Sequence, residues 1–405
     1  MTALTSTLET RERLDTAQVL SRFHSCERAL TLACAAWIPN VARLEQKAAL
    51  ARAAWQCALA ADAVRERVFE LRYPSRLLEA GADAPLVEVY ERGIDAPDAT
   101  SFLRGISEVL APALLADERA FLERTDELDD GPTIRILRAA IADKEEQVFA
   151  LSARGDSPWP TALRRALETL EPPQGTPFAY LEQPARDERY FPCSFYWPDA
   201  LDPSYPYGEG LTLQLRSAVS HLNEVWAVET AGVILYALAP ELGWEFVRDA
   251  ARWVYDEARH MLMGKRRLDA WGLDPAMIPL GAYIYEACAG QDPIVRLGML
   301  GYFETKNIGR KRERAQAFAA MGDRVSETDM EFDWADETIH AEYGRRWLKE
   351  LLRVRGGNEE GWQGVLAECE RLVRERRAAA TAEERAEIRD AAEALLAAAR
   401  ARTGT

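Results

Sequence analysis

The spacing of apolar residues along the chain predicts a protein built almost entirely of helices. In the first 155 residues, apolar positions recur three and four apart, with breaks at Ile38-Pro39-Asn40 and around Gly131. These breaks leave four helical stretches, over residues 17–37, 41–71, 101–123 and 132–151. Four helices are enough for a bundle, so we predict an N-terminal helical domain over residues 1–155.

The pattern changes over residues 156–210, where proline and aromatic residues are frequent. We expect one helix there, over 161–170, and otherwise an ordered loop that connects two domains. Helical spacing then returns and predicts further helices over 211–239, 241–271, 276–289, 292–321 and 326–354. The last stretch, 355–405, is rich in Ala, Glu and Arg and predicts surface helices without a chemical role.

One motif occurs twice in the second helical region. The pattern DExxHxxxGxRxL begins at Asp256 and again at Asp336, and a Glu-Thr pair precedes each copy. Residues three apart lie on the same face of a helix, so the Glu and His of each copy can point at one metal ion. The predicted metal ligands are Glu229, Glu257, His260, Glu304, Glu337 and His340.

The turns between the helices predict which carboxylates face each other. In an antiparallel hairpin, residues equally far from the turn lie at one level. Glu229 and Glu257 are equally far from Gly243, and the two glutamates of the second copy flank a turn at Gly322. Packing the two hairpins together would bury four Glu and two His side chains, and burying so much charge requires a cation. Carboxylates combined with imidazoles suit iron or manganese.

On these motifs, residues 211–354 resemble the ferritin-like di-iron carboxylate superfamily. The resemblance implies an all-α, ferritin-like four-helix bundle, in which two helices give single glutamates and two give Glu-x-x-His pairs. It also implies a centre of two iron ions, with manganese or mixed manganese and iron as alternatives, and O2 as the co-substrate.

The N-terminal domain contains a weaker version of the same motif. Lys144 stands where the motif has Glu, Gln147 stands where it has His, and Glu118 mirrors Lys144 about Gly131. This domain is therefore either a degenerate ferritin-like bundle or an unrelated helical domain. We expect no metal there in either case.

Residues about one turn from the ligands are candidates for a substrate pocket, although each also fits ordinary core packing. Asp256 and Asp336 directly precede the motif glutamates, and we expect each to accept the outer N–H of a histidine ligand from the opposite hairpin. The pocket candidates are Trp226, Val233, Tyr255, Phe303, Asn307, Ile308, Trp334 and Tyr343.

Composition and charge exclude several classes of function. A net charge of -16 argues against binding to nucleic acid or to an anionic membrane. The six cysteines are isolated in the sequence, which is typical of reduced thiols. Without a leader-like N-terminus or an apolar run of about 20 residues, we expect a cytoplasmic protein that does not cross a membrane.

Together these features predict an oxygen-dependent di-iron oxidase or monooxygenase that acts on a small organic substrate. One alternative is a ferroxidase, peroxidase or manganese-catalase-type protein that handles metal or peroxide. Another is a binding protein that keeps a metal for stability. The sequence has no flavin, haem or Cys-cluster motif, so electrons would come from a donor protein or from the substrate, and a homodimer is left open.

Overall fold

A computed structural model of the protein describes residues 12–79, 83–194 and 209–403, and most of them are helical. The predicted all-α fold class is therefore confirmed. The described strands are short: β1 (Phe191–Cys193) pairs in parallel with β2 (Pro279–Gly281).

The chain divides into two compact units that differ from the predicted domains. The first unit contains the described residues of 1–33 and 53–178, and the second contains those of 34–52 and 179–405. Residues 34–52, predicted to belong to the N-terminal domain, are thus part of the second unit. The predicted connecting loop is divided between the units, and its residues 195–208 lie outside the described part of the chain.

Two of the helices up to residue 169 begin after an aspartate that caps them. Asp98 accepts a hydrogen bond from the backbone N–H of Ser101, and Asp126 does the same for Leu128. A π-helical turn, Ile106–Leu110, joins two of these helices. The helices are α1 (Arg13–Trp37), α2 (Leu44–Glu70), α3 (Ser75–Glu79), α4 (Ala84–Arg92), α5 (Ala99–Gly105), α6 (Ala111–Leu122), α7 (Glu127–Ala150) and α8 (Trp159–Thr169).

The remaining helices belong to the second unit and include both motif copies. They are α9 (Gly210–Asn223), α10 (Val225–Ala270), α11 (Tyr283–Glu286), α12 (Pro293–Met321), α13 (Arg324–Val354), α14 (Trp362–Ala378) and α15 (Ala382–Thr403). Helices α9, α12 and α13 each pack against at least one other helix of this group, and α10 packs against all three. The helix expected over 276–289 is replaced by a 3-10 turn, β2 and the short α11.

Helix α10 reverses its direction at Gly243. This residue has a φ of 75° and interrupts the helical geometry, in a backbone conformation that favours glycine. A straight helix would separate Glu224 from Glu257 by about 50 Å. Their carboxylate oxygens instead lie within 4.8 Å of each other, so the two halves of α10 run antiparallel.

The glycine in each motif copy lets two helices approach closely. A Cβ atom at Gly264 would lie 2.3 Å from the backbone nitrogen of Leu222, and a Cβ atom at Gly344 would lie 2.9 Å from the Cα of Gly301. Neither position can hold a larger residue without a shift of the neighbouring backbone. The repeated glycine therefore sets the distance between α10 and α9 and between α13 and α12.

Two described segments, Ala99–Leu122 and Gly210–Ala270, are long and apolar enough to cross a membrane by length and composition alone. The sequence analysis expected no such segment. More than half of the tested window is buried in each case, and buried core helices of soluble proteins pass the same test. The two segments are therefore weak evidence for a membrane.

Candidate metal centre

Carboxylate and imidazole groups converge in the interior of the second unit. Among the described residues, four overlapping groups of potential ligands have their ligand atoms within 4.8 Å of one another. Five of the six predicted ligands take part, and Glu229 does not. The members are His221, Glu224, Glu257, His260, Glu304, Asp333, Glu337 and His340.

Three carboxylates face one ring nitrogen of His260. Its Nδ1 atom lies 3.5 Å from Glu224 Oε2, 3.7 Å from Glu257 Oε2 and 3.6 Å from Asp333 Oδ1. These separations are too long for good hydrogen bonds. They match the separation of two ligand atoms that are each about 2.1 Å from one metal ion.

The same pattern recurs around His340. Its Nδ1 atom lies 3.3 Å from Glu257 Oε1 and 3.7 Å from Glu304 Oε1. Trp253 Nε1 donates to both of these oxygens, at 3.0 and 3.3 Å, and so holds the two carboxylates in place. Glu257 thus presents one oxygen to each histidine, as a carboxylate that bridges two ions would.

Four buried ligand atoms in this cluster have no hydrogen-bond partner within the described part of the chain. They are Glu224 Oε2, His260 Nδ1, Glu337 Oε2 and His340 Nδ1. Buried polar atoms are almost always paired, so four unpaired polar atoms in one cluster need a common explanation. Two metal ions would satisfy all four, and the residues present therefore fit a dinuclear centre.

The Nε2 atom of each histidine contacts the aspartate of the other motif copy. His340 Nε2 lies 3.4 Å from Asp256 Oδ2, and His260 Nε2 lies 3.3 Å from Asp336 Oδ2. Arg259 donates to both aspartates, at 2.6 and 2.8 Å. The contacts expected from the sequence are present at both aspartates, and they leave the Nδ1 atom of each ring for a metal.

Burial controls the charges in this cluster. Desolvation raises the pKa values of Glu224 and Glu304 well above their usual range, and it raises the pKa of Glu337 to about 7. Burial would also raise the pKa of Asp333, but the ammonium group of Lys311 outweighs it and holds that pKa well below its usual range. Metal binding would therefore displace protons from the glutamates.

Glu229 belongs to a different set of contacts, and its assignment as a ligand is corrected. Lys47 Nζ lies 2.8 Å from Glu229 Oε1, and Arg186 contacts the same oxygen. Lys47 and Glu229 are fully buried, and burial lowers the pKa of Lys47 to about 8. Lys47 and Arg186 therefore neutralise the carboxylate of Glu229, which the sequence analysis expected a metal ion to neutralise. In the cluster, Glu224 stands in the position predicted for Glu229.

A constant spacing in the sequence identifies Glu224. The two motif copies lie 80 positions apart, as from Glu257 to Glu337. Glu224 lies the same distance before Glu304, whereas Glu229 lies 75 positions before it. Counting residues from the turn glycine was misleading because that glycine is not the midpoint of the hairpin.

Three further residues beside His260 were not predicted as part of the site. His221 Nε2 lies 3.1 Å from Asp333 Oδ2, and Lys311 Nζ donates to Asp333 Oδ1 at 2.5 Å. Lys311 also contacts Glu337 Oε1. No motif marks these residues, but the 80-position comparison aligns Asp333 with Trp253 and so shows that the two copies differ here.

The predicted pocket residues are scattered between the core and the surface. Trp226 packs on Phe303, with ring centroids 5.0 Å apart, whereas Trp334 is 38% exposed. The side chain of Asn307 lies outside the described residues. Other residues line the two described grooves, of about 510 and 600 Å³. The remaining candidates are buried or half-buried: Val233, Tyr255, Ile308 and Tyr343.

The first unit has a buried cluster in which a lysine stands among the acids. Lys144 Nζ contacts both carboxylate oxygens of Glu27 and lies 3.7 Å from Cys57 Sγ. Gln147, at the position where the motif has His, donates from Nε2 to Gln56 Oε1 at 3.2 Å. The buried lysine thus supplies the counter-charge for Glu27 inside this unit.

Glu118, in the same unit, provides a pH-dependent prediction. Burial and the neighbouring charge of Glu27 raise the pKa of Glu118 from 4.5 to about 8. Between these values the folded protein holds a proton that the unfolded chain lacks, so stability falls as the pH rises through this window. In the wild type, the free energy of unfolding should therefore fall between about pH 5 and pH 8. We expect Glu118→Gln, which cannot ionise, to reduce this fall by roughly 2–4 kcal/mol. Urea unfolding of variant and wild type at about pH 5 and pH 8 measures the difference, and an equal difference at both pH values would contradict the prediction.

The comparisons with known proteins assign the chain to one family. No curated protein and no solved structure matches it significantly. A family model described as "Protein of unknown function (DUF455)" matches residues 183–392, slightly more than half of the chain, and this range includes every member of the candidate metal cluster. The chain therefore belongs to the DUF455 family.

Proposed function

We propose that α9 with the first half of α10, the second half of α10, α12 and α13 form a ferritin-like four-helix bundle around a di-iron centre, and that the protein is an oxygen-dependent oxidase or monooxygenase of a small organic substrate. The observation that carries this proposal is the carboxylate of Glu257. Its Oε2 atom faces His260 Nδ1, and its Oε1 atom faces His340 Nδ1. A single ion has no need of a carboxylate shared between two imidazoles.

In addition to the shared Glu257, each histidine has a glutamate of its own nearby. Glu224 belongs to the position around His260, and Glu304 belongs to the position around His340. With Glu257 and Glu337 they supply four negative charges, which two divalent ions would neutralise. The donor set of carboxylates and imidazoles favours iron or manganese.

Bound iron would supply redox chemistry with O2 that no side chain can provide. The chain's own residues orient the centre: Asp256 and Asp336 fix the two histidine rings, and Trp253 holds Glu257 and Glu304. We further propose a cytoplasmic protein that receives electrons from a donor protein or from its substrate.

Metal analysis tests the centre directly. After reconstitution with ferrous iron or manganese and removal of excess metal, we expect about two ions per chain. Binding should also stabilise the protein, by about 2.7 kcal/mol at a free metal concentration 100 times the dissociation constant. Chelation should therefore lower the melting temperature by roughly 5–10 °C. A metal content near zero together with an unchanged melting temperature would refute the centre.

A second measurement tests the reaction class. The ferrous protein is mixed anaerobically with candidate organic compounds and then exposed to O2. We expect one compound to be oxidised in proportion to the O2 consumed. Turnover of excess ferrous iron or peroxide, independent of any organic compound, would instead identify a metal- or peroxide-handling protein.

A further inference from the structure

An internal ammonium group lies on one side of the cluster. Lys311, on α12, is 3% exposed, and its Nζ atom contacts Asp333 Oδ1 and Glu337 Oε1. Asp333, Glu337 and His260 form one of the groups whose ligand atoms could surround a metal ion. The ammonium group of Lys311 therefore already contacts a carboxylate oxygen on two of these three potential ligands, Asp333 and Glu337.

The His340 side of the cluster is built differently. Its carboxylates, Glu257 and Glu304, receive hydrogen bonds from the neutral indole of Trp253. Trp253 lies 80 positions before Asp333, so the two residues take the same place in the two motif copies. The residue at this position is Asp333 beside His260, where it is paired with Lys311. Beside His340 it is Trp253, an uncharged hydrogen-bond donor.

We propose that Lys311 competes with a metal ion for Asp333 and Glu337, so that the His340 position fills before the His260 position. This inference rests on the proposed dinuclear centre. An ion that enters beside His260 must either displace the ammonium group from these oxygens or bind next to its positive charge. Both lower the affinity, and a charge this close is enough to separate the two dissociation constants by about tenfold or more.

Ordered filling gives the centre a property that two equal positions would lack. A protein that fills one position first can take one kind of divalent ion there and a different kind at the second position. Lys311 would thereby control whether the centre holds two identical ions or a mixed pair.

A titration with cobalt(II) tests the order of filling. Chelator-stripped protein is titrated anaerobically and followed by calorimetry and by visible absorption. We expect two steps for the wild type, whereas Lys311→Met frees two carboxylates and should tighten the second step about tenfold or more. Lys311→Arg keeps the charge and should keep two steps. Lys306→Met replaces an exposed lysine of the same helix and should behave as wild type.

The outcomes distinguish this inference from the proposed function. No stoichiometric cobalt binding in the wild type would refute the dinuclear centre itself. Two equal steps in the wild type, or an unchanged or weaker second step in Lys311→Met, would overturn the role of Lys311 while leaving the centre intact. If Lys311→Met does not fold without metal, the order of filling can be tested with His340→Ala and His260→Ala. The first step of the cobalt titration should be lost in His340→Ala and retained in His260→Ala.

Discussion

Replacing Glu257 by alanine is expected to abolish stoichiometric binding of both metal ions. Glu257 is the carboxylate shared by the His260 and His340 positions, so its removal weakens both. Losing a group that merely orients a ligand already costs about 10–100-fold in metal affinity. We therefore expect both dissociation constants to rise by more than about 100-fold, measured as metal retained per chain after dialysis against a weak chelator.

Two glutamates of the same hairpin provide matched controls. Glu224→Gln should remove the His260 position alone and leave about one ion per chain. Glu229→Gln should retain both ions, because Glu229 contacts Lys47 and Arg186 and not the cluster. If Glu229→Gln lost metal while Glu224→Gln kept two ions, the ligand assignment given by the sequence would be right and the one given by the structure wrong.

The parts of the site that depend on local spacing were predictable from the sequence. Glu257 and His260 lie three residues apart on one helix, so they share a face in any helical arrangement. The helical periodicity and the repeated motif are local in the same sense. The sequence did not explain the repeated glycine, because the backbone that Gly264 approaches belongs to another helix.

The identity of the first ligand depended on information that is not local. Glu224 and Glu229 differ by about 7.5 Å along a helix, and both lie in an apolar segment. The 80-position spacing between the two motif copies distinguishes them, and so do their partners. Lys47, the partner of Glu229, comes from a distant part of the chain that local periodicity assigned to the other domain. The rule that a buried carboxylate needs a cation was sound, but it could not say whether the cation is an ion or a lysine.

The first unit offers a direct test of this distinction, since there the cation is a lysine. Lys144 and Glu27 are at most 1% exposed and contact each other. Burial alone would lower the pKa of Lys144, but the electrostatic interactions with Cys57 and Glu27 outweigh it and raise that pKa. We expect Lys144→Met to destabilise the protein by about 3–5 kcal/mol, because it leaves Glu27 buried without a counter-charge. The free energy of unfolding in urea measures this loss.

Charge compensation, rather than packing, should account for most of that loss. In the double variant Glu27→Gln/Lys144→Met neither charge remains, so most of the lost stability should return. Arg138→Met, at an exposed position of the same helix, should change stability by less than about 0.5 kcal/mol. A double variant no more stable than Lys144→Met would contradict the charge argument. Added manganese should not rescue Lys144→Met, because Gln147 stands where the second unit has a histidine of the proposed metal site.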